Sequence, residues 1–236
     1  MGDIKTNTKP VDELQDVIEI PPELFDRRMS VDLITELLRE SILSGQLREG
    51  MELNQARLAR LFDVNRIIIR EAVRQLQGEG LVEGRPHRRA VVATMSTAQV
   101  AEMIDICMLI EVYLLERAVP RLTPPVLAEL QRLCDEMDAI RSNATGLWYN
   151  KNQEFHMTLY RPSGATFAAE FLVQLWARVE RYFRAWAGHE PERLPEQNEE
   201  HRRILEAVER KDIYRAVSEL RMHDARTKEY ILSAHK

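Results

Sequence analysis

Residues 53–82, LNQARLARLFDVNRIIIREAVRQLQGEGLV, constrain the fold of this chain more than any other stretch. Asn54 can cap a short helix over QARLARLF whose Leu58 and Leu61 point inward, and the polar break Asp63-Val64-Asn65 ends it. A second helix then runs from about residue 65 to Gly78. At 100° per residue, Ile69, Ala72, Val73 and Leu76 gather on one of its sides, while Arg66, Arg70 and Arg74 form a neighbouring stripe rotated away. Whatever this segment folds into must bury the first face and leave the guanidinium groups outside.

The flanks narrow the choice. Upstream, Val31, Ile34, Leu37, Leu38 and Ile42 repeat at helical spacing between a capping Ser30 and a closing Gly45. Downstream, Leu81-Val82-Glu83 and Ala90-Val91-Val92 have the composition of two short strands around GRPHRR, where Gly84 and Pro86 favour a turn. Three helices and a hairpin within about 65 residues make a winged helix-turn-helix pattern. An arginine stripe often does no more than face water, with Arg70 or Arg74 pairing with Glu71. Here a short helix, a tight turn and a basic hairpin surround it, which is what docking a helix in the major groove requires, with the wing on an adjacent groove or backbone. The helix N-terminus favours phosphate, and arginine can clamp a phosphate or read guanine through two hydrogen bonds.

Charge is distributed to match. The chain of 236 residues has a formal net charge of −5, so it carries no general polyanion-binding coat. Residues 57–89 nevertheless hold eight arginines against four carboxylates, a local basic patch on an otherwise acidic protein.

These residues resemble the GntR superfamily of bacterial transcriptional regulators, in its FadR-like branch. That family's pattern L-x-E-x-x-L-A-x-x-L-G-V-S-R-x-x-V-R-E-A-L-x-x-L-x-x-E-G-L-V is matched at Leu53, Leu58, Ala59, Leu61, Val64, Arg66, Arg70, Glu71, Ala72, Leu76 and residues 79–82. The resemblance implies that Asn65, Arg66 and Arg70 contact an operator, with Arg88 and its neighbour His87 at the wing. Arg74 continues the stripe, and Ile67, beside it, is positioned to touch a thymine methyl. Departures are specific: Asp63 stands for the usual turn glycine, Asn65 for serine, Ile67-Ile68-Ile69 for Thr-Pro-Val, and Arg85-Pro86-His87-Arg88-Arg89 for R-P-N-R-G at the wing.

Beyond Met95 strand patterns vanish, and helices are expected over about 97–119, 124–142, 147–160, 165–187, 195–210 and 213–234. The fold class is therefore mostly α. A tail (1–25) precedes a winged helix-turn-helix domain (26–95) and an all-helical bundle (96–236), which the resemblance implies is the effector, metal-binding and dimerisation domain. Asn152 and His156 share a helix face, while His201 and His223 stand on later helices. His189 and His235 are assigned to a loop and to the tail. Isolated histidines mean little, yet nitrogen donors on facing helices are how bundles hold transition metals. The resemblance extends here to the FCD type of effector domain (VanR-like), whose D-x-x-x-H and two later histidines ligate a divalent metal. It implies a site at Asn152, His156, His201 and His223, with Asn152 in place of the aspartate. Three imidazoles and one amide suit Zn²⁺, with Ni²⁺ as rival.

The effector implied is a small organic molecule, a carboxylate in many relatives, held by an arginine in R-x-x-L-E. This chain has Cys107-Met108-Leu109-Ile110-Glu111 instead, which leaves Arg178 or Arg181 to substitute. Two cysteines without finger or redox spacing, no apolar run of membrane-spanning length and a polar first fifteen residues point to a cytoplasmic protein off the membrane. The expected function is a homodimeric regulator, most simply a repressor, on double-stranded operator DNA. Two alternatives are a metal-dependent hydrolase and a DNA-binding module with a purely structural metal; Glu200 adjoins His201 but points about 100° from it, leaving no clear general base.

Overall fold

The interrupted apolar period folds as two helices set against a third. In this computed structural model, which describes residues 18, 29–85, 89–140, 144–189 and 191–234, α1 (Val31–Leu43) is followed by strand β1 (Glu52–Leu53), α2 (Gln55–Leu61) and α3 (Arg66–Gly78). Strands β2 (Val82–Arg85) and β3 (Arg89–Val92) complete the wing in a three-stranded antiparallel sheet of order β1-β3-β2. Val82 pairs with Val92 and Glu83 with Val91, while β1 adds Glu52 opposite Val91 and Leu53 opposite Ala90.

Local chemistry explains the boundaries. Ser30 accepts from the Leu33 amide to start α1, and Asn54 accepts from the Ala56 and Arg57 amides to start α2. The turn after α2 closes with paired bonds, Asp63 N–H to the Arg60 carbonyl and Val64 N–H to the Ala59 carbonyl, and it holds Asp63 at φ +48°. The end of α3 repeats this closure with Gly80 at φ +76°, where Gly80 N–H bonds Gln77 and Leu81 N–H bonds Leu76. Ile34, Leu38, Leu58, Ile69, Ala72 and Leu76 are buried together. Each large aliphatic side chain removed from water here contributes about 1.5–3 kcal/mol. Arg39 of α1 grips Glu79, just past α3, with Nη2–Oε1 2.6 Å and Nε–Oε2 2.9 Å. Ile18 lies buried in the same core. That position of the segment expected to be a tail therefore packs, as an isoleucine removed from water should; the other described residues begin at 29.

The chain divides into two compact units, Met1–Thr94 and Met95–Lys236. Among its described residues the second unit has no strand. It comprises α4 (Thr97–Ala118), α5 (Pro124–Ala139), α6 (Thr145–Tyr160), α7 (Thr166–His189), α8 (Leu194–Glu209) and α9 (Ile213–Ala234). Ser96 and Gln99 form a reciprocal capping box at the start of α4. Helix α4 packs against α6, α7 and α9; α5 lies on α6 and α8, and α8 on α9. Trp148, Phe155, Tyr160, Leu172 and Ile204 are buried at the centre of this bundle. His189, expected in a loop, is the last residue of α7. His235 lies outside the described residues.

Candidate metal centre and DNA-facing helix

At the start of α3, Asn65 Oδ1 accepts from the Ile67 amide at 2.9 Å, so the residue standing for the usual serine does the capping. Beyond it Arg66, Ile67 and Arg70 are exposed, Ile67 at 59% despite its bulk. Neither Arg66 nor Arg70 makes an ion pair or side-chain hydrogen bond among the described residues. Arg74 differs: its guanidinium meets Glu71 Oε1 at 3.0 Å across one turn. That solvated pair contributes little and exchanges easily for a phosphate. Among the described residues the stripe thus has two free cations and one lightly tethered. His87 and Arg88 of the wing lie outside the described residues.

In the bundle, three helices converge on one point. His156 from α6, His201 from α8 and His223 from α9 are all buried, and one ligand atom from each lies within 4.8 Å of the others. Ring centroids are separated by 5.2 Å for His156–His201, 5.3 Å for His156–His223 and 4.7 Å for His201–His223. Burial, followed by the charge of neighbouring histidines, pushes the pKa of His156 and His201 well below the ordinary range, so both rings stay neutral. Neutral imidazole is the ligating form.

Two of the three rings are oriented from behind. Tyr160, one turn after His156, donates to Glu111 Oε2 at 2.7 Å, and its oxygen lies 3.2 Å from His156 Nδ1. With the phenol proton committed to Glu111, that oxygen accepts from Nδ1–H and leaves His156 Nε2 free. His223 Nδ1 lies 2.9 Å from Glu200 Oε2, and the other oxygen of Glu200 receives Arg226. This is the carboxylate–histidine arrangement that sets tautomer and basicity in metal sites. Burial raises the Glu200 pKa, but the His223 and Arg226 hydrogen bonds outweigh it and the net shift is downward. Burial likewise pushes Glu111 up to about 7, against the hydrogen bonds from Tyr160 and Trp176.

The third ring stands apart. His201 is fully buried beside Phe155, Trp148 and the other two imidazoles, yet neither of its nitrogens has a hydrogen-bond partner. Asn152 Oδ1, one turn before His156, is also buried without a partner. Leaving a buried polar group unsatisfied costs about 1–3 kcal/mol. Orphaned donors of this kind, beside two oriented imidazoles, fit a divalent transition metal. Three imidazole nitrogens and an amide oxygen, with one candidate nitrogen of each ring within 4.8 Å of the others, are a donor set of the kind such a metal takes.

A cavity of about 620 Å³ of atom-free space, its mouth included, opens beside this cluster. Asn152, His156 and His223 line it with Trp176, Val179 and Phe183 of α7. Arg178 and Arg181 do not line it. On α7 the residues at 176, 179 and 183 share the cavity face, and 178 and 181 fall on other faces. Arg178 is exposed, and Arg181 is buried with Nη2 on the Tyr182 hydroxyl at 2.6 Å. Neither arginine can therefore substitute as an effector anchor in this cavity.

The sequence reading missed Tyr160, Glu111 and Glu200 as supporting groups. Tyr160 had a signal, its i+4 spacing from His156. Glu200 had none, since its partner is on another helix.

A winged helix-turn-helix with an exposed cationic recognition helix, joined in one chain to a helical domain enclosing a polar cluster and cavity, defines a DNA-binding regulator with a sensory half. The chain belongs to the FCD-domain regulators of the gntR family of bacterial regulatory proteins: residues 31–92 match that family's DNA-binding domain and residues 102–226 match the FCD domain. It is similar to the HTH-type transcriptional regulator McbR of Escherichia coli K12, at 26% identity over 177 residues, 74% of this chain and 80% of that one. It is also similar to the HTH-type transcriptional repressor RspR of the same organism, at 28% identity over 76% of this chain and 78% of that one. The solved structure of E. coli McbR/YncC shares the fold, with a TM-score of 0.72 at 23% identity over 89% of this chain and all of that one. This protein is accordingly a DNA-binding transcriptional regulator and not an enzyme, and its FCD domain is an effector-binding domain. The hydrolase alternative falls with that assignment, and Glu200, its nearest carboxylate, is engaged with His223 and Arg226.

Proposed function

We propose that the protein is a homodimeric, metal-containing repressor whose operator affinity responds to a small molecule in the α4/α6/α7/α9 cavity. Each copy presents α3 to one half-site of a near-palindromic operator. Arg66 and Arg70 serve phosphate or guanine, Arg74 exchanges Glu71 for phosphate, and Ile67 contacts a thymine methyl. His87 and Arg88 serve the wing. Repression is inferred from the likeness to RspR, and a cytoplasmic location follows from action on DNA.

His156, His201, His223 and Asn152 would hold the metal, zinc by the chemistry of the donors, with nickel as its rival. When bound, the ion supplies a positive charge that neutral donors leave uncompensated. Tyr160 with Glu111 holds the proton of His156 on Nδ1, and Glu200 holds that of His223 on Nδ1. The cavity walls orient the effector. Binding there changes DNA affinity only to the extent that the effector prefers one arrangement of the dimer.

The observation that carries the sensory half of this reading is His201, fully buried with both nitrogens unsatisfied beside two oriented imidazoles. Elemental analysis of protein purified without added metal or chelator tests it, together with thermal melts during Zn²⁺ titration. No metal and no shift would remove the site. On the DNA side, Ile67→Ala should lower discrimination among operator variants at A·T positions; unchanged relative affinities would eliminate the methyl contact.

A further inference from the structure

The cavity's lining also bears on the chemistry of the effector. This rests on the proposal that the effector occupies this space. No lysine or arginine lines the cavity among the described residues; the charged groups that do are the two acids Glu111 and Asp224, besides the histidines. The nearby cations are already spoken for: Arg226 by Glu200, Lys228 by Asp105, Arg184 by Glu180. The rest of the wall is Ile104, Val179, Ile231, Trp176, Tyr149 and Phe183. Neutral hydrogen-bonding capacity is concentrated near the histidine end, where Asn152 Oδ1 and Gln197 Nε2 lack partners.

We infer that the effector has a single polar or anionic head directed to the Asn152/histidine end and an uncharged, apolar body against Trp176, Val179 and Phe183, which excludes di- and tricarboxylates. A second carboxylate placed among these walls finds no countercharge. Ionised, Glu111 and Asp224 repel it; protonated, they still cannot neutralise it. An anion removed from water without a pair costs far more than a methylene run in the same place, which gains from burial.

Hexanoate and adipate test this directly, because they share a six-carbon skeleton and differ by one carboxylate. Titration calorimetry on full-length, zinc-loaded protein should find hexanoate binding at least about tenfold more tightly. Gln153→Lys, on the partly exposed part of the lining, supplies the missing cation. It should raise the affinity for adipate relative to that for hexanoate at least about fivefold. Adipate binding as tightly as hexanoate to the parent protein, no hexanoate binding in the millimolar range, or a ratio unmoved by Gln153→Lys would each overturn the inference. Zinc stoichiometry measured on the same samples separates the outcomes. Bound zinc with any of those results leaves the metal site standing, whereas its absence removes the site whatever the carboxylates do.

Discussion

His201→Leu should have opposite effects on stability with and without metal. Leucine is close to histidine in volume and meets an environment of Phe155, Trp148 and the other rings. In chelator, the wild-type ring leaves one donor and one acceptor buried and unsatisfied. Removing them recovers about 1–3 kcal/mol. For a domain of this size, roughly 2–4 °C of melting temperature accompanies each kcal/mol. The second unit of the variant should therefore melt several degrees higher than wild type in chelator. With zinc at about 100 times its dissociation constant, wild type gains about 2.7 kcal/mol by mass action. The variant, having lost a ligand, should gain little. The order of the two proteins thus inverts between the two buffers. Differential scanning calorimetry with chelator and with excess Zn²⁺ reads both. If the variant is the less stable protein in chelator, or if both proteins gain equally from zinc, then His201 is a core histidine satisfied in some other way and the metal reading fails.

Three further outcomes are expected. Arg66→Ala and Arg70→Ala should each lower the slope of log affinity against log salt by about 0.9 if the residue neutralises a phosphate, measured by anisotropy on a duplex selected by the wild-type protein. Arg74→Ala should do less, since Glu71 already engages that guanidinium, and equal slopes for all four proteins would remove the phosphate contacts. Asp63→Gly should stabilise the winged unit by up to about 1 kcal/mol in urea melts, because φ +48° is strained for a residue with a Cβ; the larger backbone entropy of glycine in the unfolded chain opposes this, and a loss of stability would mean it wins. Glu200→Gln should weaken zinc affinity about 10–100-fold by competition with a chromophoric chelator. Unchanged affinity would reduce Glu200 to a structural partner of His223 and Arg226.

Much of the architecture was legible because local periods carry it. The stripe of Ile69, Ala72, Val73 and Leu76 identifies α3 and its buried face, and the capping chemistry of Ser96 or Thr97 marks the start of α4, where Ser96 is the cap. Strand β1 was not legible: two residues, Glu52 and Leu53, have no alternation to read and exist as a strand only by pairing with β3. The same divide holds in the bundle. Asn152, His156 and Tyr160 are four apart and declare a shared face. Glu200 was set aside for pointing away from its neighbour His201, although the direction that mattered was toward His223 on another helix. Arg178 and Arg181 were chosen for charge, and only the packing of α7 tells which of its faces meets the cavity.

The three histidines are drawn from α6, α8 and α9, so nothing in the earlier helices can complete the centre before α9 has emerged from the ribosome. At about 5–20 residues per second, the winged unit, with its separate core, has several seconds in which to settle before His223 is even synthesised. A nonsense mutation just ahead of α9 would therefore leave a winged unit with its own core joined to a bundle that lacks both His223 and the face α9 lends to α4 and α8.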